Sequence, residues 1–202
     1  MKEFNGYSDA KKAAEAKAVE KLPAGAYVCK IKEVRSEAEK ITLAFDIIEG
    51  DFKDFFKKQF EANTNEDKKW KGRVTVWIPK DDNSEKDGYT KRTFASWTSS
   101  FEKSNNGYSW DWEEKKWKDK IVGIVFGETG TVIDGKEIVY TEARFPVDVE
   151  LVRKGIAPTA KFKAKNGYTG NGGNGGGNAD PNFKPDDAFM NFDASDKTEL
   201  PF

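Results

Sequence analysis

The chain has no histidine and a single cysteine, Cys29. Lacking histidine, it can build no Ser-His-Asp or Cys-His triad, no mixed His/Cys zinc centre and no imidazole general base. One thiol allows no internal disulfide, and Cys29 lies in an alternating, strand-like run, so nothing asks for an oxidising compartment. No apolar run approaches the roughly 18 residues of a membrane span, and no secretory signal pattern is present, so a soluble, intracellular protein is expected. A phosphate-binding G-x-x-x-x-G-K-[ST] loop is also missing: Gly127-Glu128-Thr129-Gly130 lacks both the lysine and the strand–loop–helix setting.

What the chain does have is aromatic bulk and charge. Its 202 residues fit one domain of about 150 residues plus extensions. Hydrophobic content is low at 37%, but 15 Phe, 6 Trp and 6 Tyr supply core material. The net charge of −1 hides a segregation: residues 1–165 hold 32 Lys/Arg against 29 Asp/Glu, and residues 166–202 hold 2 against 6. The body is mildly basic and the tail acidic.

Residues 9–21 have high helix propensity and little apolar face, which predicts a short helical extension over 1–22. Residues 26–34 and 40–48 read as an antiparallel strand pair, with Ile41, Leu43, Phe45 and Ile47 sharing one face. Phe52, Phe55, Phe56 and Phe60 follow helical spacing over 51–61 and are expected in the core. Strand 72–78 would turn Val74, Val76 and Ile78 inward and Arg73, Thr75 and Trp77 outward. Trp70, just before it, suits a lid over the core. A loop over 80–88 precedes a helix over 91–104, and 108–118 reads as an aromatic, charged surface loop or hairpin. Strands follow over 120–126 and 131–145, with a hairpin turn at Asp134-Gly135, and 147–153 suggests a last strand. The expected fold is mainly β with inserted helices: an antiparallel barrel like the oligonucleotide-binding (OB) fold, over 23–155, because closure removes exposed edges. A Gly/Asn-rich linker over 156–180 and a disordered acidic tail over 181–202 complete the organisation.

Carboxylates at Asp111, Glu113 and Glu114 with Lys115, or Asp46 with Glu49, superficially match a metal-dependent nuclease, but such spacings arise by chance in a chain that is 34% charged. No catalytic residue, metal or cofactor is therefore expected. What stands out is aromatic residues interleaved with bases, the pattern that holds single strands by stacking and phosphate contact. The candidates are Lys71, Arg73 and Trp77; Tyr89, Lys91 and Arg92 from the following loop; Trp110, Trp112 and Lys115, with Lys116 and Trp117, in the aromatic loop; and Tyr140 with Arg144. Each tryptophan taken singly reads as readily as packing.

The chain closes on an acidic stretch, Asp193, Asp196 and Glu199, then Leu200-Pro201-Phe202, behind the Gly/Asn run Tyr168–Asn178. This tip resembles the tail of bacterial and phage single-stranded DNA-binding proteins, though Lys197 and Thr198 interrupt its acidic run. The stretches 22–31, 43–50, 55–61 and 119–127 are similar to phage-encoded proteins of that kind. The resemblance implies an OB-type body that coats single-stranded DNA in replication or recombination, in the cytoplasm of a host bacterium. It also implies a tip that recruits replication or recombination proteins, and a possible homo-oligomer such as a dimer. The alternatives are a protein-interaction adaptor and the metal-dependent nuclease.

Overall fold

The structure, a computed structural model, describes Gly6 and residues 21–170. The helical extension expected over 1–22 therefore lies almost wholly outside the described residues, as do residues 171–180 of the expected linker and the tail 181–202. Residues 156–170 of that linker are described, and Lys163–Ala164 among them pairs with the sheet.

The fold is mainly β. Strands β1 (Gly25–Ser36), β2 (Lys40–Ile47), β3 (Arg73–Trp77), β4 (Ile121–Ile133), β5 (Lys136–Val147) and β6 (Lys163–Ala164) form one sheet. The order is β3-β2-β1-β4-β5, antiparallel throughout, and the two-residue β6 joins β4 in parallel, which makes the sheet mixed. Bulges between Ile31 and Glu33 in β1, and at Val125/Phe126 where β4 meets β5, bend the strands and curl the sheet. The edge strands β3 and β5 are brought within 8 Å, Cα to Cα, but share no ladder. The closed barrel expected from the sequence is thus a curled, open sheet.

The inner face follows the alternation read from the sequence. Ile41, Leu43, Phe45 and Ile47 of β2 meet Cys29 and Ile31 of β1, Val76 of β3, and Val122, Ile124 and Phe126 of β4 in one core cluster. Helix α1 (Phe55–Ala62) plugs one end: Phe55 and Phe56 are buried, and the Phe56 ring stacks on Phe126 and meets Phe45 edge-on. It starts later than the phenylalanine spacing predicts, leaving Phe52 in the preceding turn against Tyr27.

Helix α2 (Glu85–Ser104) covers the inner face with Trp97 and Phe101. It begins within the stretch expected as loop, because Ser84 Oγ accepts the Asp87 N–H and caps the first turn. At its other end Asn105 donates to the Phe101 and Ile121 carbonyls and accepts the Ile121 N–H, tying the helix to β4.

Two further expectations are corrected. Strand β4 runs unbroken through Gly127 and Gly130, while the turn at Asp134-Gly135 is as expected, both residues at positive φ (50° and 73°), the conformation a two-residue hairpin of primed type requires. The strand expected over 147–153 is instead helix α3 (Val149–Arg153), because Asp148 caps it through the Glu150 N–H. Helix α3 packs over β1 and β4 on the outer face, where a Cβ on Gly123 would meet Val147 and Val152 at 2.8 Å. That half of the outer face is covered. Among the described residues no helix is long and apolar enough to cross a membrane.

Candidate nucleic-acid interface

Among the described residues the outer face of β3 stays open, beside the half-exposed outer residues of β2. Along β3, Arg73, Thr75 and Trp77 are exposed while Val76 is buried. Their partners on β2 are Ala44, Thr42 and Lys40 respectively. Small side chains therefore form a shallow strip with a guanidinium at one end and an indole, 56% exposed, at the other. Lys71 lies exposed just before the strip, and neither it nor Arg73 forms an ion pair among the described residues.

The strand that carries the strip is pinned from behind. Phe45 N–H donates to the Gly72 carbonyl at 2.8 Å, and Trp70 Nε1 donates to the carbonyls of Phe45 and Gly72, each at 3.0 Å. Trp70 is packed on the core cluster, as its position before the strand suggests.

Beyond Trp77 the strip runs into a cleft of about 570 Å³, lined by Glu39, Trp77, Ile78, Lys80, Asp82, Ser84, Lys86, Asp87, Tyr89 and Thr90. Tyr89 reaches it from the first turns of α2, not from a loop. Most of the charge here is already engaged. Lys80 Nζ lies 2.7 Å from Glu39, which holds the Glu39 carboxyl below its usual range and pushes the lysine up. Lys91 sits between Asp81 at 2.5 Å and Asp87 at 3.0 Å, and these bonds raise its pKa. Burial alone would raise the Asp87 carboxyl, but the bonds from Lys91 and from backbone N–H groups bring it below the ordinary aspartate value. Lys91 is therefore a tether between the β3–α2 loop and its helix. Arg92 is exposed and unpaired among the described residues.

The aromatic loop divides into structural and exposed parts. Trp117, on the 3-10 turn Glu114–Trp117, is fully buried, with its ring 4.7 Å from that of Phe101 in a stack. Trp110 is half-buried between Phe94 and Trp117 and joins the core. Both are packing residues, which corrects their place among the stacking candidates. Trp112 is 81% exposed. Lys115 is exposed too, while Lys116 is held by Asp111 and Glu113. The loop is fixed to the β1–β2 turn, where Ser36 Oγ donates to Glu114 at 2.7 Å. The same turn carries Glu39, whose carbonyl accepts the Ile78 N–H next to Trp77. Ser36 is the partner of Ile41, an inner-face residue, so the loop is attached on the core side of the turn and Trp77 stands on the other side.

Tyr140 and Arg144 do not belong to this surface. Arg144 is about 13% exposed, lies 2.8 Å from Glu142, and donates to Thr129 Oγ1 and the Glu128 carbonyl. Burial lowers its pKa, and Glu142 opposes that shift. Lys165 closes the network onto Glu142 at 3.1 Å. Arg144 is therefore an internal strut, and Tyr140, half-buried, shares its strand face. Tail candidates Asp193, Asp196, Glu199, Leu200, Pro201 and Phe202 lie outside the described residues.

The carboxylates weighed as metal ligands have other partners. Asp46 accepts the N–H groups of Ile47, Phe56 and Lys57; Glu49 pairs with Arg153 at 2.7 Å. Among the described residues no group of His, Cys, Asp or Glu side chains is placed to hold a metal ion. Sequence reading missed Lys40, Lys80 and Lys86; the pairing of Lys40 with Trp77 needs the β2–β3 register, which hydrophobic periodicity does not specify.

No protein-family model and no curated protein matches this chain.

Proposed function

We propose that this chain is a sequence-independent single-stranded DNA-binding protein of the phage type, with an OB-like body, that holds strands unpaired during replication or recombination and carries out no reaction. The observation that carries the reading is the open strip on β2 and β3, with Arg73 and Trp77 pointing away from the core and no element among the described residues covering them. Strand order supports it. An OB barrel is a five-stranded, partly open Greek-key sheet whose second and third strands and adjoining loops bind oligonucleotides. Here the path β3-β2-β1-β4-β5, the approach of β3 to β5, and a long helix between β3 and β4 suit that plan. The open strip falls on the strands the plan uses for binding. Bases would stack on Trp77 and, where the strand rounds the sheet edge, on the exposed Trp112, while Arg73, Lys71 and Lys115 neutralise phosphates. The acidic segment 193–202 recruits partner proteins.

The test is anisotropy of labelled oligo-dT against the full chain over a salt series, with duplex as a control. Arg73→Ala reduces the steepness of the salt dependence by about 0.7, the share of one phosphate contact on a single strand. Trp77→Ala combined with Trp112→Ala weakens binding by about 1–3 kcal/mol per lost base stack and leaves the slope unchanged. Circular dichroism establishes that each variant is folded. Unaltered binding by the folded double variant places the stacking platform elsewhere, and absence of binding by the wild type at low salt refutes the reading.

A further inference from the structure

We propose that the cleft between Trp77 and Tyr89 is a nucleobase pocket, and that its carboxylates make it favour a base bearing an exocyclic amino group, cytosine over thymine. The inference rests on the single-strand reading above and adds a modest base preference at one subsite, the end of the strip, to binding that is otherwise sequence-independent. At about 570 Å³ the cleft falls within the roughly 300–1,000 Å³ of small-molecule pockets. Trp77, Ile78 and Tyr89 give it apolar and aromatic walls. Trp77 belongs both to the strip and to the cleft, so a strand stacked along β3 is led directly into it.

The polar lining suits a base better than a phosphate. Glu39, Asp82 and Asp87 contribute three carboxylates, against the two ammoniums of Lys80 and Lys86. The Lys80 ammonium is bound to Glu39, and the Lys91 ammonium is held by Asp81 and Asp87. With three carboxylates to two ammoniums the lining has no excess of positive charge to draw a phosphate, whereas a neutral base meets no such requirement. Ionised carboxylates accept hydrogen bonds and cannot donate them. Cytosine presents an N4 amino donor where thymine presents the O4 acceptor, so cytosine is met by the more numerous carboxylates, while O4 has only Lys86 at the rim once Lys80 is bound to Glu39. The charged groups around the cleft thus convert a stacking site into a base filter.

The experiment compares oligo-dC with oligo-dT of equal length, using the full chain, the double variant Glu39→Gln/Asp82→Asn, and Thr90→Trp, which fills the cleft. The wild type binds oligo-dC about three- to tenfold more tightly, the worth of a single net hydrogen bond. Amides both donate and accept, so the double variant brings the ratio close to one, even though release of Lys80 raises affinity for both strands. Thr90→Trp weakens both by about tenfold, the lower part of the range for one lost stack, with an unchanged salt slope. Equal affinity of the wild type for the two strands overturns the pocket, as does a preference that survives in the double variant. Both results leave the single-strand reading intact. Failure of the wild type to bind either strand overturns reading and pocket together. Should Thr90→Trp fail to fold, the ratio in the double variant decides.

Discussion

At the scale of single residues, position in three dimensions separates side chains that the sequence presents as equals. Trp112 and Trp117 both sit among charged neighbours, yet the first is exposed, as is Trp77 between Val76 and Ile78, and the second is sealed under Phe101. Period-two alternation made Trp77 legible, since Val74 and Val76 fix the inward face of its strand. The 108–118 loop has no period, so nothing local reveals that Trp117 and Trp110 turn inward. Asp46 is a further case. Its spacing to Glu49 hints at a metal pair, but its carboxylate caps α1 through Phe56 and Lys57. Asp46→Ala strands those buried N–H groups and should cost at least about 2 kcal/mol in denaturant unfolding. Asp46→Asn, which keeps an acceptor oxygen, should cost much less. Burial raises the Asp46 carboxyl above the ordinary aspartate value, and the backbone bonds only partly offset it. A carboxyl whose pKa is higher in the folded state stabilises most below its unfolded pKa and loses that contribution as pH rises through the folded one. The wild type should therefore gain on Asp46→Asn as pH falls toward that window, and a gap that narrows there would contradict the assignment.

At the scale of elements, sequence reading succeeded where a strand buries one face and failed where a third layer intervenes. β1, β2 and β3 emerge from their alternation within a residue or two. Strand β4 did not emerge whole, because glycine inside a strand reads as a break. The structure gives the reason for two of its glycines: a Cβ on Gly127 would lie 2.6 Å from Ala160, and one on Gly130 would lie 2.6 Å from the Tyr168 ring. These contacts come from residues some 30 positions away, beyond the reach of any local window. Likewise, 147–153 alternates like a strand, but the Asp148 cap and the packing of Val149 and Val152 make it a helix. The element that matters most for the interface is β3, and its start depends on Gly72. A Cβ there would lie 2.4 Å from the Phe45 carbonyl oxygen and 2.7 Å from the Phe56 ring. Gly72→Ala should push β3 away from β2 and α1, costing about 1–3 kcal/mol by overpacking. It should also lower oligo-dT affinity, because Arg73 is the next residue. A melting temperature equal to that of the wild type would show that the close approach is not needed.

At the scale of the whole molecule, the order of elements along the chain implied a small curled sheet with a helix after the third strand, and that much was legible. Closure was not, because whether β3 and β5 join depends on how far the bulges in β1 and β5 bend the sheet, which no local pattern reports. The charge distribution acts at this scale too. The body carries a small excess of bases, and the segment from residue 166 is acidic. In the proposed scheme that segment competes with phosphates for the same basic strip. Removing residues 193–202 should then leave oligo-dT affinity unchanged or raise it, while abolishing capture of replication or recombination proteins. Any gain should be largest in dilute buffer, because the screening length is about 30 Å at 0.01 M salt and about 10 Å at 0.1 M. The gain would come without a new contact, since all that changes is the loss of an intramolecular anion. A stacking role for Phe202 on DNA predicts the opposite sign, a loss of affinity that persists at high salt because stacking is poorly screened. Anisotropy titrations of the two chains at both salt concentrations separate these cases, and a truncated chain that binds less tightly at either one would mean that the acidic segment grips DNA instead of competing with it.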